Sequence, residues 1–428
     1  MNILLCGADG FLGGAIQRVL IASGHRVIRG VHHPRQPGDI TIDYRTDVKP
    51  EDWLPHLKEV DGVINAVGIL REREAGDFER IHHRAPAALF RACANVGMKK
   101  VVQISALNSL AADAQMTPYL ASKYAADAAL LKAMPENALI LRPALTFGTD
   151  GDSTRFFMAL ASLPVLSIPH GVGQVQPVHV EDVAAAVVKS LTDSVAPTRV
   201  LYLPGPRAMN YADWIETYRH LMGLPPAPHL PIPAFVMEAT ARFAGLFRAS
   251  ILCRDTWRMM AQGNCADAAD ATAFLERPLR DPADFATTGE AEGLRLKAFA
   301  VWRRLLLRGV LAAIWLLTAL VSAGIFPLFS RAQSLELLAP LGLSGSTALG
   351  VLAFAVVLDA LMGFLTFARP GRRLWLFQLV LIIGYTVLIA WRLPEFLFHP
   401  FGPVLKNLAV GALLIQLFSE EPAKEPTA

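Results

Sequence analysis

Four cysteines in 428 residues leave little room for metal or disulfide chemistry. Cys6, Cys93, Cys253 and Cys265 form no C-x-x-C pair, and none stands at ligand spacing from a histidine, so neither a zinc site nor a disulfide framework is expected. A reducing compartment suits the water-soluble part, and no metal is assigned. Charge is scarce as well. Asp, Glu, Lys and Arg supply only 18% of the chain, the net charge is +3, and no basic block is interleaved with aromatics, so no nucleic-acid partner is expected. No Lys or Arg precedes "ILLC", and Gly7, Asp9 and Gly10 interrupt the apolar opening, so it reads as a buried strand and not as a secretory leader.

Apolar residues are what the chain has in excess. They make up 53%, with a mean hydropathy of +0.37, above the range of ordinary water-soluble proteins and suggestive of a membrane portion. The excess is uneven. Residues 1–300 alternate strand-like and helix-like patterns with polar punctuation, whereas 301–419 hold long uncharged runs, which places the main boundary near residue 300.

"NILLCGADGFLGGAIQRVLIASGHRVIRGVHHPR" gives a short apolar run, a glycine-rich turn, an apolar-periodic helix ending near Gly24 and a second strand around Arg26–Val31. This is a βαβ unit. Its turn carries G-x-x-G-x-x-G at Gly7, Gly10 and Gly13, where glycine permits positive φ and lets the backbone N–H groups of Phe11, Leu12 and Gly13 approach a pyrophosphate. A plain tight turn is the alternative; the flanking strand and helix favour the nucleotide. Further on, "PYLASKYAAD" sets Tyr119 and Lys123 four residues apart, on one helical face.

The glycine spacing resembles that of the extended and atypical short-chain dehydrogenase/reductases, and the resemblance accumulates downstream. Asp43 in "TIDYR" sits where that superfamily places an aspartate near the adenine. "VDGVINAVGIL" (60–70) is similar to its fourth strand and Asn-Ala-x-Gly turn, which brings Ala66 and Gly68 to the cofactor. "KKVVQISAL" (99–107) looks like the fifth strand, "LILRPALTFG" (139–148) like the sixth, and "QPVHVEDVAAAVV" (176–188) and "RPLRDPADF" (277–285) like later segments. The ordered set covers roughly residues 1–285. It implies an α/β Rossmann-like, doubly wound parallel sheet that binds NAD(P).

Within that set Tyr119 and Lys123 fall where the superfamily has its Y-x-x-x-K. The resemblance makes Tyr119 the proton carrier, with Lys123 lowering its pKa and holding the nicotinamide ribose, and makes Ser105 the third catalytic candidate. Extended members carry their Ser or Thr slightly later, where this chain has Leu107 and Asn108, and Ser109 is a further candidate. This departure resembles the epimerase-like atypical branch of NmrA-like and NDUFA9-type proteins, which includes cofactor binders with little or no catalysis. After the second strand "RGVHHPR" offers His32, His33 and Arg35 and no acid, which favours NADP(H) over NAD(H), since an acid there would accept from the 2′-hydroxyl and repel a 2′-phosphate. Solvated loop residues are the plainer reading.

Four apolar runs follow, at about 309–330, 344–368, 374–391 and 403–418, the first long enough to cross about 30 Å of hydrocarbon. They predict an all-α four-helix transmembrane domain. "DALMGFLTF" and "HPFGPVLKNL" resemble the DoxX-like membrane domain, some of whose relatives are linked to quinone or thiosulfate oxidation. Arg303, Arg304 and Arg308 precede the first run, and Arg369, Arg372 and Arg373 join the second to the third, so the positive-inside rule puts the dinucleotide domain and the C-terminus in the cytoplasm of a bacterial-type inner membrane. Asp359, inside the second run, is a candidate for a proton path or a polar headgroup, or else a packing residue.

The expected organisation is therefore a Rossmann-like domain at 1–190, a substrate-side segment at 191–300, a DoxX-like domain at 301–419 and a polar tail at 420–428. The expected function is a membrane-anchored NAD(P)(H)-dependent oxidoreductase acting on a carbonyl, hydroxyl or quinone-like substrate. A non-catalytic NAD(P)-binding redox sensor or assembly factor, and a nucleotide-sugar epimerase or dehydratase, stay open as alternatives.

Overall fold

In the computed structural model the apolar runs "NILLC", "GVIN", "VVQI" and "ALILRP" become β1 (Asn2–Cys6), β4 (Gly62–Asn65), β5 (Val101–Ile104) and β6 (Ala138–Pro143). Continuous burial of this kind belongs to central strands of a parallel sheet covered on both faces. They pair with β2 (Arg26–Val31), β3 (Ile40–Thr41) and β7 (Arg199–Leu203) in the order β3-β2-β1-β4-β5-β6-β7, all parallel. The order reverses between β1 and β4. The residues described are 1–108, 116–192, 198–247, 250–325, 331–336, 338–396 and 404–421.

Helices cover both faces of the sheet. On one, α1 (Phe11–Ala22) packs beside α4 (Val180–Thr192) around Ile16, Leu20, Val183 and Val187; on the other, α2 (Ala85–Asn95) and α3 (Pro118–Ala133) enclose Trp53, Leu89, Phe90 and Leu130. The seventh strand comes from residues 199–203, so the sheet draws on sequence beyond residue 190. A third core joins the helices Asp152–Ala161 and Tyr211–Leu221 through Phe157, Trp214, Tyr218 and Phe285.

The chain divides into two compact units, Met1–Ala298 and Phe299–Ala428. In the second, three helices among the described residues are long and apolar enough to cross a membrane: the helix Ala291–Ser322, which begins before the unit boundary, Gly345–Ala368 and Arg372–Arg392. The fourth expected span starts among residues outside those described; its described part is the 14-residue apolar helix Asn407–Glu420. A Cβ on Gly363 would press to 2.6 Å from Leu316, so glycine lets these two helices approach closely. Trp315 donates to Gln378 (3.0 Å), which donates to Thr366 (3.1 Å). Arg303 pairs with Glu420 (2.6 Å) and Arg308 with Glu421 (3.1 Å), bringing the end of the last helix beside the start of the first span. Asp359 is buried, and among the described residues its Oδ1 has no hydrogen-bond partner.

Candidate functional site

The site forms where the strand order reverses, which is where doubly wound sheets bind ligands. Leaving β1, Gly7 takes φ +80°, which a side chain resists, and a Cβ there would stand 3.0 Å from Val67 and 3.2 Å from Ala66. A Cβ on Gly13 would collide with the Gly7 carbonyl, so only glycine lets α1 start this close to the strand. Gly10 precedes the helix in an extended conformation and no side chain caps the first turn, leaving the N–H groups of Phe11, Leu12 and Gly13 at the positive end of the helix dipole. Such a cradle fits a pyrophosphate.

Beyond β2 the expected cofactor residues are held locally. His32 stacks near His33 (4.3 Å between ring centres), and its Nδ1 lies 3.9 Å from Asp43. Asp43 itself accepts from the N–H of Arg45 (2.9 Å) in the turn after β3. Asp39, which no spacing argument singled out, accepts from the N–H of Arg35 (2.9 Å) and pairs with Arg29 (2.8 Å); the Arg35 N–H contributes most to holding its carboxyl below the usual range. An acid is thus present after β2, with its charge already answered by Arg29. His32, His33 and Arg35 stay exposed.

Helix α3 supplies the Tyr and the Lys. Thr117 caps it by accepting from the N–H of Leu120, and Pro118 occupies its first turn, where a missing N–H costs nothing. Tyr119 then lies in the first turn and Lys123 one turn on. Lys123 is buried and donates to the carbonyls of Ile104 (3.2 Å) and Val67 (3.4 Å). A Cβ on Gly68 would sit 3.1 Å from its Nζ, so the Lys reaches the loop after β4 across a bare backbone. Burial lowers the ammonium to about 8, against a smaller opposing pull from Asp127. Tyr119 behaves differently from the expectation that its neighbour lowers it: burial pushes the phenol up to about 12.

His82 joins these parts, and no motif or spacing in the sequence points to it. It lies, fully buried, in a π-helical turn, Glu79–Arg84, a rare form often found at functional sites. Its Nε2 accepts from the N–H of Ile69 (2.9 Å), so Nδ1 carries the proton and donates to Ser122 Oγ (2.9 Å), which in turn donates to the Tyr119 carbonyl (2.7 Å). The ring meets Tyr119 edge-on at 5.5 Å. Burial, reinforced by Lys123, holds the imidazole well below its ordinary pKa and therefore neutral.

Ser105 faces another group. Its hydroxyl donates to Asp127 (2.8 Å), which pairs with Arg142 (2.8 Å), one turn beyond Lys123 on α3. Asn108 donates to the Gly263 carbonyl (2.7 Å), and Ser109 lies outside the described residues.

Comparison with known proteins bears on the fold and the family. Residues 3–201 match the NAD dependent epimerase/dehydratase family, and residues 312–415 match the DoxX-like family. Over 235 residues the chain is 30% identical to the ceramide reductase of Caulobacter vibrioides, covering 52% of this chain and 71% of that protein. The chain belongs to the NAD dependent epimerase/dehydratase family. It is also 31% identical over 256 residues to the mitochondrial NADH dehydrogenase [ubiquinone] 1 alpha subcomplex subunit 9 of Arabidopsis thaliana, covering 55% of this chain and 62% of that one. The human epimerase family protein SDR39U1, solved with NADPH, superposes with a TM-score of 0.52 at 17% identity, covering 70% of this chain and 99% of that one. UDP-glucose 4-epimerase from Bifidobacterium longum, solved with NAD+ and UDP, gives 0.51 at 18%, covering 69% and 97%. These structures establish the fold. The epimerase/dehydratase match ends before the membrane unit, whose three long apolar helices and DoxX-like match make it a membrane domain joined to an NAD(P)-binding one.

Proposed function

We propose that the protein is a membrane-anchored NAD(P)(H)-dependent oxidoreductase that reduces a lipid-soluble carbonyl or quinone-like compound or oxidises the matching alcohol. The observation that carries this is Lys123: a buried ammonium held by two carbonyls against Gly68, one turn from Tyr119, beside a glycine cradle fit for a pyrophosphate. Pure stability would not retain such a cation. The ceramide reductase relative and the membrane domain support an apolar substrate.

In this reading Gly7, Gly10, Phe11, Leu12 and Gly13 hold the pyrophosphate, Ala66 and Gly68 leave room beside it, and Asp43 lies toward the adenine. His32, His33 and Arg35 favour NADP(H), since Arg29 already answers the carboxylate of Asp39. A nicotinamide held there would supply or accept the hydride. Tyr119 delivers the proton to the carbonyl oxygen, with the Lys123 ammonium stabilising the phenolate left behind; Ser105 holds Asp127. Residues 1–190 act as the cofactor part, 191–300 as the substrate side, 301–419 as the anchor and 420–428 as a tail, with the arginines around the spans favouring a cytoplasmic N-terminal domain in a bacterial-type inner membrane.

A cofactor-binding sensor or assembly subunit is the second reading. It is favoured by the engagement of Ser105 with Asp127 and by likeness to a respiratory complex subunit. Titration of the detergent-solubilised chain with NADPH and NADH separates the two, paired with turnover of apolar ketones and quinones in wild type and Tyr119→Phe. Shared binding with turnover lowered by about 10²–10⁴ in the variant supports the enzyme. Binding without turnover in either supports the sensor, and failure to bind sinks both.

A further inference from the structure

The N-terminal unit leaves one apolar surface uncovered. Trp214, Tyr218 and Met222 are core residues, but the helix Ala234–Ala244 and the turn after it expose Phe235 (75%), Phe243 (66%), Leu246 (76%) and Phe247 (57%). Phe235 and Phe243 project from the exposed side of the helix and Leu246 and Phe247 from the turn that follows, while Ala241 is buried against the rest of the unit. Four large side chains left in water on one short element are unusual for a soluble surface. The polar residues around them are mostly basic: Arg242, Arg254 and Arg258 are exposed, against Glu238 and Asp255. Arg71, three residues after Gly68, anchors the far end by donating to the carbonyls of Phe247 (2.7 Å), Ser250 (2.8 Å) and Gly245.

We infer that this face lies on the membrane that the chain's own helices cross, with Phe235, Phe243, Leu246 and Phe247 at the boundary between headgroups and acyl chains. Exposed phenylalanine and leucine flanked on the same face by arginine suit a segment seated among lipid headgroups. The basic rim matches anionic headgroups, and among the described residues three helices of this chain are long and apolar enough to cross a bilayer. The anchored end is joined through Arg71 to the segment that follows Gly68, so a ligand dissolved in the lipid would meet protein connected to the candidate site. This inference does not depend on the reaction proposed above.

The test uses the full chain, with Cys253→Ser and Cys265→Ser, in nanodiscs of zwitterionic and anionic phospholipid. Spin labels are placed one at a time at Phe243→Cys, Leu246→Cys, Phe247→Cys and, as a control in the last turn of α3, at the exposed Lys132→Cys, and NADPH binding and circular dichroism verify the fold. Labels at 243, 246 and 247 should collide with oxygen more than with an aqueous nickel chelate, and the one at 132 the reverse. Nickel dominating at all four positions overturns the inference. So does exclusion of both reagents from 243 and 246, which would mean that a second copy or another protein covers the face.

Discussion

Two successive turns of α3 carry buried charges of opposite sign, and the protein treats them differently. Asp127 is paired with Arg142 and accepts from Ser105, whereas Lys123, four residues earlier, donates among the described residues to two carbonyls. Burial still holds the Asp127 carboxyl above its usual range despite Arg142, and it lowers Lys123 to about 8. The difference separates two purposes. The Asp127 turn is a strut between α3 and β6, while the Lys123 turn keeps an incompletely answered charge at the spot where the cradle and Tyr119 converge.

The sharpest way to break this comparison is to remove each charge in turn. Asp127→Ala leaves the Arg142 guanidinium buried without its carboxylate and should cost about 3–5 kcal/mol of stability, read by denaturant melts of the solubilised chain. Adding Arg142→Met should recover most of it. A loss below about 1 kcal/mol in the single variant would show that the strut carries little.

Lys123→Met should do the opposite. A shift from 10.5 to about 8 corresponds to roughly 3 kcal/mol of penalty on the charged form, so the variant should be up to that much more stable at neutral pH while losing turnover. The sign can be checked with pH. Between about 8 and 10.5 the unfolded chain binds this proton and the folded one does not, so wild-type stability should rise across that window and level above it. Lys123→Met should lack that component of the rise. A variant destabilised at pH 7 would make Lys123 structural.

How far the sequence reaches follows from the range of each interaction. The glycine turn, the second strand and the Tyr119–Lys123 pair are local patterns, and the structure places the strand at the residues expected, Arg26–Val31. Legibility fails where partners are distant. Nothing in "RIHHR" distinguishes His82 from His83, because the role of His82 depends on a π-helical turn and on Ile69 and Ser122, 13 and 40 residues away. Asp39 escaped notice because it follows β2 by a loop instead of ending it. Ser105 directly follows β5, but its hydroxyl direction depends on Asp127, 22 residues on.

His82 tests whether the join between the loop and α3 matters. His82→Leu leaves the Ile69 N–H and Ser122 hydroxyl without their partner and should cost about 1–3 kcal/mol. Because the folded imidazole sits well below 6.5, the unfolded state takes up the proton first as pH falls, so the His82 contribution is complete above 6.5 and is lost below it, at about 1.4 kcal/mol per pH unit. His82→Gln should flatten that acid limb. An unchanged limb would mean that His82 titrates freely and that the join is not what the hydrogen bonds imply.

The smallest effect concerns Ser105, and it discriminates most finely. If its hydroxyl polarised a substrate carbonyl, Ser105→Ala would lower kcat by orders of magnitude and leave stability nearly unchanged. The bond to Asp127 argues the reverse: a hydrogen bond to a charged group is worth about 1.5–3 kcal/mol, so Ser105→Ala should lose about that much stability with kcat within a few-fold of wild type. Combined with Asp127→Ala, the loss should be less than additive, since both variants remove one contact. Additive losses would detach Ser105 from the strut and return it to the list of candidates for the reaction, leaving Asp127 and Arg142 alone to join α3 to β6.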